Sequence, residues 1–259
     1  MSFRGVQLDA VDEAIIIQKV VENAPSWGQT LQSRGNGYGQ IQTGSEKKYR
    51  DIIVSFVINE LTDIVRREEV LQAVRDWASA PGWLRLNYRE DQRIYARCVT
   101  MPAVNGIVKA AEEYTLTFRS TARPEWEANT ADTATATARK TGNIIIKVKP
   151  SAGGPLRLSA YNPGTSKCDS VTLSMGNQKI ALTGLGLAPH ETLAIDYTTE
   201  KDIQRIRIQN TAGSWRSVLN KRTTDSSDDI MLACGSNTVT VLSSVNLQWT
   251  LTCFGRWYG

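Results

Sequence analysis

The nine residues from Val245 to Cys253 alternate without a break. Val245, Leu247, Trp249, Leu251 and Cys253 fall on one side, and Asn246, Gln248, Thr250 and Thr252 on the other. Successive side chains of a strand point to opposite faces, so this period of two demands a strand with one face in a core and one in water. Past Gly142 short patterns of the same kind recur between Gly153-Gly154-Pro155, Asn162-Pro163-Gly164 and Gly184-Leu185-Gly186. Strands repeating at roughly 8 to 12 residues with turn-formers between them predict a β-sandwich or barrel. No longer repeat points to a solenoid or propeller.

The first half reads differently. Gly35, Gly37 and Gly39, with Tyr38 among them, mark a loop or hairpin tip. Tyr49 to Ile58 carries Ile and Val on both faces, as a central strand covered on both sides would. One helix follows, with Val70, Leu71, Val74, Trp77 and Ala78 on a single arc. Arg67 would intrude into that arc, so the helix is predicted over about 68–79, stopped by Pro81-Gly82. Trp83 to Tyr88 and Arg93 to Val99 predict a hairpin turning at Arg89 to Gln92, and Tyr114, Leu116 and Phe118 share one face of a further strand. Between Ala128 and Lys140 nearly every residue is Ala, Thr, Asp or Asn, which reads as a linker. The expected organisation is a β domain with one helix over 1–127, a linker over 128–141 and a β-sandwich over 142–259.

Charge and cysteine usage narrow the chemistry. Residues 1–140 hold 18 basic and 18 acidic side chains, and the rest of the chain holds 12 basic and 8 acidic, so the net +4 lies in the second half. That excess is too mild for a nucleic-acid-binding face; Arg205, Arg207, Arg216, Lys221 and Arg222 read as a solvated strand face. Cys98, Cys168, Cys234 and Cys253 are too widely spaced for a metal or redox pair, and a disulfide is unforced. The opening Met1-Ser2-Phe3-Arg4 leads to Asp9, Asp12 and Glu13 without the apolar stretch of a secretory signal, and no aliphatic run approaches the ~20 residues of a membrane span. Cytosolic synthesis, with no membrane partner, is expected.

Catalytic and ligand motifs are sparse. His190 is the single histidine, set at a turn between Pro189 and Glu191, and no Gly-x-Ser-x-Gly nucleophile motif occurs. Asp196 is the best-placed acid for a glycosidase pair, although an Asp near a strand end more often bonds a neighbouring turn. Phosphate-loop patterns are absent, so no cofactor, metal or catalytic residue is expected. Trp215, Trp257 and Tyr258 are candidates for sugar contact, against the plainer reading of large aromatics as core or interface; Trp249 lies on the apolar side of its strand.

The order of parts resembles the siphophage distal tail proteins. The strand Tyr49 to Phe56, the helix ending at Trp77, the hairpin, Leu116-Thr117-Phe118 and Pro124-Glu125-Trp126 resemble the family's N-terminal half. The turn leading into Leu193 to Asp196 and the Gly235 to Val239 turn before the closing strand resemble its C-terminal half. At two turns the family's usual Pro-Gly is replaced, by Pro189-His190 and by Cys234-Gly235. The resemblance implies a tail-tube-like N-terminal β-sandwich or barrel and a galectin-like C-terminal sandwich. It implies a non-enzymatic virion protein at the tail tip, made in the host cytoplasm and assembled as a hexamer whose lumen passes DNA without binding it. Implied partners are the tail tube protein, a tail-associated lysin or fibre hub, and a receptor-binding protein. Heterologous ring contacts require two different surfaces per subunit, for which the edge strands of the first domain and the Gly35, Tyr38, Gly39 tip are candidates. The competing expectations are a carbohydrate-binding module for host envelope glycans and a glycan-degrading enzyme using Asp196.

Overall fold

The computed structural model describes residues 1–33, 40–59, 63–102, 113–121, 123–149 and 151–257, with backbone pairing alone for 27, 29–33 and 40–47. The chain divides into two compact units, Met1–Trp126 and Glu127–Trp257. Both are built mainly from antiparallel strands, and a single α-helix occurs among the described residues.

The first unit contains β1 (Ser2–Phe3), β2 (Val6–Gln7), β3 (Ile15–Glu22), β4 (Trp27–Ser33), β5 (Gln40–Lys47), β6 (Asp51–Ile58), α1 (Ile64–Ala78), β7 (Gly82–Arg85), β8 (Gln92–Thr100) and β9 (Glu113–Ser120). Its main sheet runs β2-β1-β7-β8-β9-β6-β3, while β4 and β5 pair with each other as a separate hairpin. The expected hairpin between β7 and β8 is present. The tip at Gly35, Tyr38 and Gly39 lies outside the described residues.

Strand β6 is more one-sided than its sequence suggests. Ile52, Val54, Phe56 and Ile58 are buried, whereas Asp51, Ile53, Ser55 and Val57 are only half-covered, and the strand lies one place from the sheet edge. Its buried residues meet those of β9 in register, Ile52 opposite Phe118, Val54 opposite Leu116 and Phe56 opposite Tyr114. Helix α1 adds Val70, Leu71, Val74 and Ala78 to the core. Trp77 packs edge-on against Phe3 and Phe118, with centroids 5.5 and 6.0 Å away, and its indole N–H donates to the Val6 carbonyl at 3.2 Å.

The helix begins a turn earlier than its apolar arc implies. Asp63 caps it, accepting from the backbone N–H groups of Val65 and Arg66, and Arg67 is buried on the helix rather than preceding it. A side-chain cap satisfies donors that hydrophobic periodicity cannot register, and the aliphatic stem of Arg packs where a Leu would.

The second unit is reached through β10 (Trp126–Ala128) and contains β11 (Asp132–Val148), β12 (Gly154–Pro155), β13 (Arg157–Tyr161), β14 (Cys168–Met175), β15 (Gln178–Leu187), β16 (Thr192–Tyr197), β17 (Gln204–Gln209), β18 (Trp215–Ser217), β19 (Met231–Leu232), β20 (Gly235–Cys253) and β21 (Arg256–Trp257). The alternation seen at Val245 to Cys253 runs through β20 as far back as Asn237, with Asn237, Val239, Val241 and Ser243 buried between exposed neighbours. Along one edge β20 pairs with β11; along the other it pairs first with β14 and then with β13. The β11 register shifts between Ala136 and Thr141, opposite the point where β20 changes partner. Strands that bend through such irregularities pass from one layer of a sandwich to the other. The bend returns β11 on itself so far that the Asp132 carboxylate accepts from the Lys149 backbone N–H at 2.9 Å. Ile144, Ile146, Val171, Leu173 and Leu182 from one layer and Leu158, Leu193, Ile195, Ile206 and Trp249 from the other belong to one buried cluster.

Residues 128–141 are therefore no linker: from Asp132 onward they are the first half of β11. Thr133 and Thr135 face water while Ala134 and Ala136 lie against the margin of the core. The period of two is present in the sequence, but Ala is too small to announce a buried face.

Candidate functional site

Polar assemblies fix segments of chain in both units. In the first, one centres on Glu22, at the end of β3. Its carboxylate accepts from Arg89 Nε at 2.8 Å, Trp126 Nε1 at 3.0 Å and Arg50 Nη1 at 3.4 Å. Arg50, 2% exposed, also donates through Nε to the Pro124 carbonyl at 3.0 Å, and its backbone N–H donates to Ser120 Oγ. Burial would raise the Glu22 carboxyl, but hydrogen bonds from Arg89, Tyr88 and Trp126 outweigh it and hold the group below its ordinary value. The Tyr88 hydroxyl is pushed up to about 12 by burial and by its bond to that carboxylate. The assembly pins Pro124 and Trp126 of the Pro-Glu-Trp segment; sequence reading found the segment and missed Glu22 and Arg50.

In the second unit the corresponding hub is neutral. The fully buried Asn162 donates through Nδ2 to the carbonyls of Ser166, Leu187 and Ala188 and accepts from the Gly164 N–H at 3.1 Å. It joins the β13–β14 loop to the turn before β16. Asn237 closes the turn into β20, accepting from Ala233 N–H at 2.9 Å and donating to the Ala233 and Gly235 carbonyls. Both altered turns keep a left-handed residue, His190 at φ 63° and Gly235 at φ 93°. A glycine takes that conformation freely, whereas His190 bears it with a Cβ.

His190 has no nucleophile beside it; its Nδ1 meets the Tyr161 hydroxyl at 3.0 Å. The Asp196 carboxylate is occupied at both oxygens, by Arg205 Nε at 2.7 Å and Arg207 Nη2 at 2.6 Å. A carboxylate with both oxygens bonded to guanidiniums is a blocked nucleophile. Cys98, Cys168 and Cys253 are buried free thiols and Cys234 an exposed one; burial raises the Cys98 and Cys253 thiols to about 11. Among the described residues no group of three or more His, Cys, Asp or Glu side chains is arranged to hold a metal ion, and no helix is long and apolar enough to cross a membrane.

The aromatic candidates are separated. Trp215 lies on β18 opposite Gln209, 43% exposed, with the Arg207 guanidinium stacked 4.0 Å from its ring centre. Trp257 is half-buried on β21 and follows Arg256, which bonds Asp202 in the turn before the opposite end of β17. Five residue steps of β17 at ~3.4 Å put roughly 17 Å between those two ends. Tyr258 lies outside the described residues.

No protein-family model matches the chain, and no curated protein does. Among solved structures, the chain is similar to the Dit protein of phage SPP1, described as a paradigm of the hub adsorption apparatus in phages infecting Gram-positive bacteria. The likeness has a TM-score of 0.68 at 11% identity and covers 98% of this chain and 97% of that one. The fold is thus that of a two-domain Dit protein from end to end. A weaker likeness to the phage p2 baseplate in its activated conformation, at a TM-score of 0.46 and 5% identity, adds nothing to that assignment.

Proposed function

We propose that the protein is a structural component of a long-tailed phage or prophage tail tip, a hexameric ring joining the tail tube to the baseplate or tail fibre. The reading rests on the shared two-unit fold, which extends over nearly the whole of both chains. On this reading the first unit builds the ring and continues the tube, DNA leaves through the lumen, and the galectin-like second unit points outward. The tail tube protein, a tail-associated lysin or fibre hub and a receptor-binding protein are its partners, and the mature location is the virion. The role is geometric rather than catalytic, in keeping with an Asp196 fully engaged by arginines.

A ring subunit must present two different complementary surfaces. The outer edge of β3 is the best candidate for one of them. Its eight residues pair with β6 alone among the described strands, and they include Ile16, Ile17, Val20 and Val21, none of them buried. A long β-branched edge with free backbone groups is a template for another chain, and a monomer would ordinarily blunt it. The short β2 edge, with Val6 46% exposed, ends the sheet on the other side.

Negative-stain microscopy with light scattering tests the reading. Six-fold rings with a central hole and a mass about six times the 28.6 kDa chain are expected, alone or after addition of tail tube protein. Ile16→Lys is expected to leave a folded monomer that no longer forms rings. A monomer under every condition, with tube protein present, overturns the proposal.

A further inference from the structure

The outward face of the β20-β13-β16-β17-β18 layer is an ordered array that the ring role leaves unused. Cross-strand register sets Thr250, Ser159, Ala194, Arg207 and Ser217 in one row. The adjacent row holds Gln248, Tyr161, Thr192, Gln209 and Trp215. Small and hydroxyl-bearing residues occupy the middle, and the Arg207–Trp215 stack rises at one side. Tyr161 stands across the row from that stack, held by His190.

Three features define what such a face can take. The stack is rigid: Asp196 fixes Arg207 at 2.6 Å, Arg207 lies 4.0 Å over the indole, and Trp215 keeps 43% of its surface exposed. Arg205 and Arg207 share the one carboxylate of Asp196, so the face keeps a single excess positive charge rather than the dense basic patch that an anionic polymer would need. The exposed apolar surface of the two rows is one indole and a phenol set among hydroxyls and amides, with Leu219 exposed beside the stack, a smaller area than the contiguous apolar centre of a protein interface. A pre-ordered aromatic ring flanked by planar donors and hydroxyls suits a ligand that has an apolar C–H face and a rim of hydroxyls.

We propose that this face binds a neutral saccharide, with the C–H face of a pyranose stacked on the free side of Trp215 and its hydroxyls bonded by Arg207, Gln209 and Thr192. Trp257, at the far end of β17, takes no part. The site stands on the second unit alone and does not depend on ring assembly.

The test uses the full chain on a glycan array containing neutral and acidic oligosaccharides, followed by titration calorimetry with the strongest neutral hit. Binding to at least one neutral oligosaccharide is expected, weakened tenfold or more by Trp215→Ala, weakened less by Trp215→Phe, and unchanged by Trp257→Ala. Unaltered thermal unfolding of the Trp215 variants separates loss of contact from loss of fold. If Trp215→Ala does not fold, Thr192→Val, an exchange in the same row, must weaken binding at least threefold. Absence of binding to every neutral glycan overturns the proposal. So does retention of wild-type affinity by folded Trp215→Ala, or binding confined to acidic glycans and abolished by salt.

Discussion

The two units solve the same problem with different chemistry. Each must fix a turn or loop at the margin of its strand ladders. The first does so with a charged knot, Glu22 among Arg50, Arg89, Tyr88 and Trp126, and the second with the neutral amides Asn162 and Asn237. A buried ion assembly costs desolvation and fails badly when one member is lost, whereas an amide fails by the value of its own bonds. The first unit should thus be the more brittle, and its knot, built on a carboxylate held below its ordinary value, should respond to acid.

The largest effect expected is from Glu22→Ala. It takes the Glu22 carboxylate from both Arg89 and the Arg50 guanidinium, whose side chain is 3% exposed, and should cost about 3 kcal/mol, read by urea unfolding. Asn162→Ala should follow at about 2 kcal/mol, since it leaves three buried or half-buried carbonyls without their donor. If the asparagine proves the costlier, the contrast between charged and neutral hubs is wrong.

Acid sharpens the contrast. A carboxyl whose folded value is depressed contributes stability above its unfolded value, near 4.5 for Glu22, and loses it as pH falls through the lower folded value. Hydrogen exchange along β3 and at residues 123–126 should accelerate as pH drops below about 4.5, after allowance for the intrinsic rate. The amides of Gly164 and His190, held by Asn162, should keep their protection over that step. Equal loss in both places would show that the Glu22 knot is not what secures the Pro124–Trp126 segment.

How much of this was legible follows from what leaves a periodic trace. The β20 alternation, the β7–β8 hairpin and the face shared by Tyr114, Leu116 and Phe118 are patterns of large apolar side chains, and they appear as strands in the fold. The half of β11 built from Thr and Ala has the same period without the volume, so it reads as a linker. Glu22, Arg50 and Asn162 leave no trace at all, because each acts on residues 25 or more positions away, apart from local turn bonds. Arg67 misleads for the opposite reason: its charge suggests water while its position on α1 is buried. The separation of Trp215 from Trp257 likewise depends on strand order, which composition does not encode.

The smallest effect tests the turns. At Gly235 (φ 93°) an added Cβ would meet nothing within 4 Å, so Gly235→Ala carries a conformational cost alone, about 1 kcal/mol. At His190 (φ 63°) the chain already bears that cost. Replacement by glycine removes roughly 1–2 kcal/mol of left-handed strain, but it returns roughly 0.5–1 kcal/mol of unfolded-state freedom. It also gives up the exposed bond to Tyr161, about 0.5 kcal/mol. His190→Gly should therefore fall between about 0.5 kcal/mol below and about 1 kcal/mol above the wild type, while His190→Ala, which keeps the strain and loses the bond, should fall about 0.5 kcal/mol below it. Thermal unfolding of the three proteins orders them. If alanine equals glycine, the left-handed strain at this turn is no larger than the roughly 0.5–1 kcal/mol of unfolded-state freedom that glycine returns.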